Sequence, residues 1–448
     1  MGQFCQWIGW VAFCLILRIV QAENQCGPDY DIKLSVWVDD VPDCHADSSY
    51  CPHFGLEYVC EEPFDYSNAS HPNATCKTGT RVRCSFPDQS VPLVETSADV
   101  IKVMAYNVYE LRYLFYQSGQ KERTCRIIPE VLKMHPDVDV IVFNEVFMGG
   151  CFAQDDDNLL EIRDILDQYG FPYYTKTVGA IPNLRQPENG GIFIASKWPI
   201  DKEGRKVFEH ISRWGDSTMK KGVAYAKVRK TVEGESKLYH IFGTHFQAYE
   251  RENTSLIRML QAEEMYNFML EQNIPADEAV IYAGDLNADK ANRPEHAAEI
   301  ISTLHSTLPT ITGDLEFSYD KVVNDVFDPG ETTRKWLDYV LFSDEHIQPT
   351  SATLEAVRPR SSPMALCMTA TDVRPMYADS RTCFDARNVT DLSDHYAVLG
   401  VLSYELQVNP TTEDIPVPTA GSARPKSLPV VLVTIAIMSA SFAVLKVI

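Results

Sequence analysis

Eight apolar, β-branched-rich runs punctuate the chain, at 100–105, 138–143, 191–195, 222–228, 238–242, 279–283, 337–342 and 396–404. Each is short and bounded by turn-forming or polar residues, so each reads as a strand buried on at least one face. Between some of them, apolar positions recur at helical spacing, over 122–134, 156–169 and 255–272. Strands and helices mixed in this way predict an α/β domain over residues 99–406. No internal repeat is visible. Upstream, residues 23–98 have a different texture: short apolar runs, frequent Pro, Asn, Asp and Ser, and six cysteines. Such a segment needs disulfides for much of its stability. Residues 407–427, rich in Pro, Thr and Ser, read as an extended stalk.

The two ends are apolar. The run at 8–17 is too short to span a bilayer and is followed by small or apolar residues at 20–22, so residues 1–22 read as a secretory signal. Residues 428–448 form an apolar tail. Ala420, Gly421 and Ser422 lie upstream of it, which suits a removable glycolipid-anchor signal; its length also suits a transmembrane helix. Both readings expect the middle of the chain to be secreted or to lie on the extracellular face of the cell membrane.

Composition narrows the class. With 45% hydrophobic and 23% charged residues the chain is globular. The net charge of −22 disfavours a polyanionic partner, so no nucleic acid is expected. Of the 12 cysteines, Cys5 and Cys14 fall in the signal, leaving an even set of ten, which reads as disulfides in an oxidising compartment. The six at 23–98 allow 15 pairings. Asn68, Asn73, Asn253 and Asn388 each begin a glycosylation tripeptide.

The chemistry lies at the ends of the strands. The run at 103–106 leads into Asn107, and the run at 140–143 into Asn144 and Glu145. The run at 241–244 leads into His245, and the run at 281–284 into Asp285, Leu286 and Asn287. Asp338 sits inside a further run, and Ser393, Asp394 and His395 precede the last. Buried groups of this kind cost free energy unless they are paired or bind a metal. If the ends converge, they form an oxygen-rich site with two histidines, suited to Mg²⁺ with phosphate oxygens completing its shell.

In this order Asn107, Asn144-Glu145, Thr244-His245, Gly284 to Asn287, Leu337-Asp338-Tyr339 and Ser393-Asp394-His395 resemble the endonuclease/exonuclease/phosphatase superfamily. The segments 189–200, 221–225 and 243–248 further resemble bacterial-type neutral sphingomyelinases, over roughly 100–405. The resemblance implies a four-layered αββα sandwich of two packed mixed sheets flanked by helices. It implies a Mg²⁺-dependent phosphodiesterase, with Mn²⁺ or Co²⁺ able to substitute, that cleaves sphingomyelin in a membrane outer leaflet to ceramide and phosphocholine. Glu145 and Asn107 would hold the metal. His395 would be the general base and Asp338 its orienting carboxylate. Asp285 and Asn287 would position water and phosphate, and His245 would stand on the leaving-group side. Asp394 would be a second acidic ligand or a structural acceptor. Cys125–Cys151 would be a disulfide bracing Glu145, and Cys367 and Cys383 fall within 358–390. There family members carry a hairpin with an aromatic tip, whereas this segment is longer and rich in Met. The rivals are a secreted nuclease of the same superfamily and a surface binding protein with an inactive enzyme domain. The partner of residues 23–98 is open.

Overall fold

The computed structural model describes residues 34–36, 43–65, 77–87, 94–111, 118–147, 149–154, 158–180, 188–212, 216–367 and 386–404. Two large sheets form its centre. The first contains β1 (Val100–Glu110), β2 (Val140–Val146), β3 (Tyr173–Tyr174), β4 (Phe193–Ser196), β10 (Thr310–Thr312), β12 (Ser351–Val357) and β13 (Ala397–Ser403). Its strand order is β10-β12-β13-β1-β2-β4-β3. The second contains β5 (Ile200–Val207), β6 (Gly222–Val232), β7 (Glu235–His245), β8 (Ala279–Asp285), β9 (Ser306–Thr307) and β11 (Asp338–Ser343), in the order β5-β6-β7-β8-β11-β9. Each sheet is mixed, with a central parallel pair, β1 with β2 and β7 with β8; in the first sheet the edge pair β10 and β12 is parallel as well.

Alternation along β1 shows how the sheets stack. Ile101, Val103 and Ala105 point into one apolar cluster with Val140, Val142, Ile241, Ile281 and Val340 of the two sheets. Met104, Tyr106 and Val108 point the other way, against Ile127, Ile128 and Val131 of α1 (Gln120–Met134). A strand's period of two makes both faces apolar when both are covered. Beyond the second sheet lie Ala262, Met265 and Met269 of α3 (Thr254–Leu270) and Ala297 and Ile300 of α4 (Pro294–Thr303). With α1 and α2 (Ile162–Gln168) on the first sheet, the layers run αββα, as expected.

All eight expected strands are present. The helix expected over 156–169 is shorter: Ile162–Gln168 is helical, while Asn158–Glu161 pairs as a strand with Gly150–Gln154. The Cys125–Cys151 disulfide ties that partner strand to α1, so pairing overrides the helical pattern. Strands β3, β5, β9, β10 and β12 and helix α4 had no assignment from the pattern. In the cysteine-rich segment, Thr78–Ser85 is the central strand of a four-stranded sheet, and Cys51 bonds Cys84. Phe54, Leu56 and Val82 of this segment share the apolar cluster of α1. The signal, stalk and tail, with Asn68, Asn73 and Cys383, lie outside the described residues. Among those described, no helix is long and apolar enough to cross a membrane. Asn253 and Asn388 are exposed.

Candidate active site

Strand pairing assembles the site. Parallel β1 and β2 set Asn107 beside Asn144. Parallel β7 and β8 set His245 beside Asp285, and antiparallel β11 sets Asp338 on the other side of Asp285. Asn144 then joins the two sheets: its Nδ2 donates to the Thr244 carbonyl at 3.0 Å, and its Oδ1 accepts from the Asp285 amide at 3.0 Å. Gly284 has φ +136°, and a Cβ there would lie 1.9 Å from the Thr244 carbonyl oxygen, so only glycine lets β8 approach β7 this closely.

One carboxylate oxygen lies at the centre. Asp285 Oδ2 is 3.2 Å from Asn107 Nδ2, 3.4 Å from His245 Nε2 and 3.9 Å from His395 Nε2. Asn107 Nδ2 also reaches Glu145 Oε1 at 3.2 Å, and His245 Nε2 lies 3.8 Å from that oxygen. His395 Nδ1 donates to Asp338 Oδ2 at 2.9 Å. Asn287 turns its amide to Asp285 Oδ1 at 2.8 Å. Glu145 and Asn287 have positive φ, 60° and 49°, a strain that persists only where surrounding structure imposes it. Asp394 accepts from Ser393 at 3.3 Å.

Sequence reasoning assigned no role to three supports. Arg123 is fully buried and donates to the carbonyls of Ser118, Val108, Tyr109 and Leu392, tying the exit of β1 to the Ser393–His395 segment. Lys221 is buried close enough to Glu145, His245 and Asp285 to bias their ionisation. Tyr319 packs edge-on to His395 with ring centroids 4.9 Å apart. Lys221 lies in one of the matching segments, so a signal existed. Arg123 looks like any charged position on an amphipathic helix.

The residues present fit a divalent cation. Burial pushes the Glu145 carboxyl up to about 7, with Asp394 adding to the shift, and the Asp285 carboxyl up to about 6, with Asp338 adding. Burial opposes charge on His395, yet Asp338, Asp394 and Asp285 outweigh it and hold that imidazole well above its usual pKa. His245 is held well below it by burial, then by Lys221 and His395. Among the described residues, both His245 nitrogens and Asp338 Oδ1 are buried without a hydrogen-bond partner. Asp285, Asp338 and His395 offer ligand atoms within 4.8 Å of one another, with Glu145 and Asn107 adjoining. Carboxylate, amide and imidazole groups gathered in this way are a donor set suited to a hard divalent cation.

Residues 104–395, more than half of the chain, match the Endonuclease/Exonuclease/phosphatase family. The chain belongs to that family. It is a phosphodiester hydrolase related to the bacterial sphingomyelinases. Sphingomyelinase C of Bacillus cereus is 29% identical over 328 residues, spanning 69% of this chain and 91% of that protein. The structure of Sphingomyelinase C from Streptomyces griseocarneus covers 68% of this chain and 99% of its own, at 25% identity and a TM-score of 0.53. A Staphylococcus aureus beta toxin mutant structure with bound magnesium ions covers 68% and 99%, at 25% identity and a TM-score of 0.55.

Proposed function

We propose that this protein is a Mg²⁺-dependent sphingomyelin phosphodiesterase that releases ceramide and phosphocholine. The observation that carries the reading is the meeting of Glu145, Asn107 and Asp285 with His245 and the His395–Asp338 pair at the facing ends of two sheets. A bound divalent cation, held by Glu145 with Asn107, would polarise a phosphoryl oxygen and offset the charge that grows in the transition state. With a bound divalent cation offsetting the carboxylates that raise its pKa, His395 would be neutral and its Nε2 would take the proton from the attacking water, while Asp338 fixes the tautomer by accepting from Nδ1. Asp285 and Asn287 orient that water and the phosphate. His245, kept neutral by burial, donates an N–H to the departing alkoxide. The names of the relatives support sphingomyelin as substrate, and the net charge of −22 argues against a nuclease.

Turnover of labelled sphingomyelin, lysophosphatidylcholine and DNA, each with Mg²⁺ and with excess chelator, tests the reading. Sphingomyelin is expected to be cleaved with Mg²⁺ only. Undiminished turnover in chelator, or preferential cleavage of DNA, would overturn it.

A further inference from the structure

Beside the histidine that acts as base is an aromatic cluster that the phosphoryl chemistry does not require. Tyr319 stands at its centre. Its ring is 4.9 Å from the His395 ring at an interplanar angle of 62°, and 5.3 Å from the Phe327 ring at 70°. Both contacts are edge-to-face, so the three rings adjoin one another rather than stack. Tyr319 and Phe327 are only partly buried. The Tyr319 hydroxyl makes no hydrogen bond among the described residues.

Carboxylates act on this ring, and one of them, Glu331, is paired with Lys321. Burial raises the Tyr319 pKa far above that of a free tyrosine, and Asp394, Tyr109, Glu145 and Glu331 add to the shift. A partly buried aromatic ring with an open portion favours a cation with a greasy surface. The cluster already carries one ammonium on its outer ring: Lys321 Nζ lies 4.6 Å from the centroid of Phe327 and 3.7 Å from Glu331.

We propose that Tyr319, walled by His395 and Phe327, is the face on which the quaternary ammonium of the substrate headgroup rests. The inference builds on the proposed function. A choline ester places its ammonium a two-carbon arm from the phosphate, which matches a ring next to the base. Quaternary ammonium cannot donate hydrogen bonds, so an aromatic face with nearby carboxylates recognises it by charge and contact. A primary ammonium, more strongly hydrated, gains less from the same face.

Calorimetric binding of phosphocholine and of phosphoethanolamine to the full chain with Mg²⁺ tests this. The phosphate is common to both, so their affinity ratio reports the ammonium subsite alone. The wild-type protein is expected to prefer phosphocholine by roughly 3- to 30-fold. Tyr319→Phe, which retains the ring, should keep the preference, and Tyr319→Leu should bring the ratio close to one. Equal affinities in the wild-type protein overturn the proposal without any variant, as does a preference that survives in a folded Tyr319→Leu. Preference without sphingomyelin turnover would support the subsite and overturn the proposed reaction. Sphingomyelin turnover with equal affinities would overturn the subsite alone.

Discussion

Asp285 Oδ2 faces an amide and two imidazoles within 4 Å, so the residue works as a hub rather than as one partner in a pair. The two histidines differ because their neighbours differ. Burial disfavours a proton on both, but Asp338 with Asp394 and Asp285 outweighs it at His395, while Lys221 and His395 add to it at His245. His395→Ala and His245→Ala are each expected to lower turnover by roughly 10²- to 10⁴-fold, with the circular dichroism spectrum unchanged. A folded variant of near-normal activity would remove that histidine from the mechanism. A second buried carboxyl, Glu110, takes no part in the chemistry. Burial pushes it up to about 7 although Thr124 and Arg123 favour its charge, and its Oε2 has no partner among the described residues. A carboxyl that binds its proton more tightly folded than unfolded adds stability at low pH. That contribution is lost as pH rises from about 4.5 to about 7. Glu110→Gln should therefore raise the melting temperature at pH 8, by an effect on the order of 3 kcal/mol, and change little at pH 5. Melting curves at the two pH values check the sign.

At the scale of elements, the strands form the frame, and a disulfide braces the loops at their ends. The Cys125–Cys151 bond closes 26 residues that include β2 and Glu145, and loop entropy alone assigns it roughly 3 kcal/mol. Close contact between the sheets matters as much. A Cβ on Gly243 of β7 would lie 2.7 Å from Val142 Cγ1 of β2 and 3.2 Å from Ile194 Cγ1 of β4, well inside ordinary contact. Gly243→Ala is expected to destabilise by about 1–3 kcal/mol through overpacking, and adding Val142→Ala should recover part of that loss. Denaturant titration of the single and double variants measures the coupling. Independent, additive effects would mean that the sheets adjust without strain. Because Gly243 lies two residues before His245, turnover should fall in the single variant as well.

At the scale of the molecule, a sandwich with its chemistry at one end suits a substrate presented by a surface. We propose that the stalk at 407–427 and the tail at 428–448 hold the enzyme at the outer face of the membrane through a glycolipid. Treatment of intact cells with a phosphatidylinositol-specific phospholipase C should then release active enzyme. Retention of a chain whose mass still includes 430–448 would point instead to a peptide span.

Eight of the thirteen strands of the two sheets were legible in the sequence, because buried strands must be apolar and β-branched; β3, β5, β9, β10 and β12, short or at or near the sheet edges, and the order of strands within each sheet were not. The residue types of the site were legible too, since Asn107, Glu145, His245, Asp285, Asp338 and His395 stand where strands end. Three kinds of fact came only from the tertiary structure. Pairing turned 158–161 into a strand, because a disulfide-tethered neighbour outweighs local helical periodicity. Arg123 became the tie between the exit of β1 and the segment before His395 because its acceptors are carbonyls, which any sequence supplies. The pKa values of Glu145, Asp285 and the two histidines were set by burial and by charges distant in sequence, as with Asp285 and Asp338 across β8 and β11. The chain's pattern determines which residues are buried and at which strand ends the polar ones stand. Which charges then share a low-dielectric pocket depends on how the sheets close, and the strength of each interaction is set by that distance.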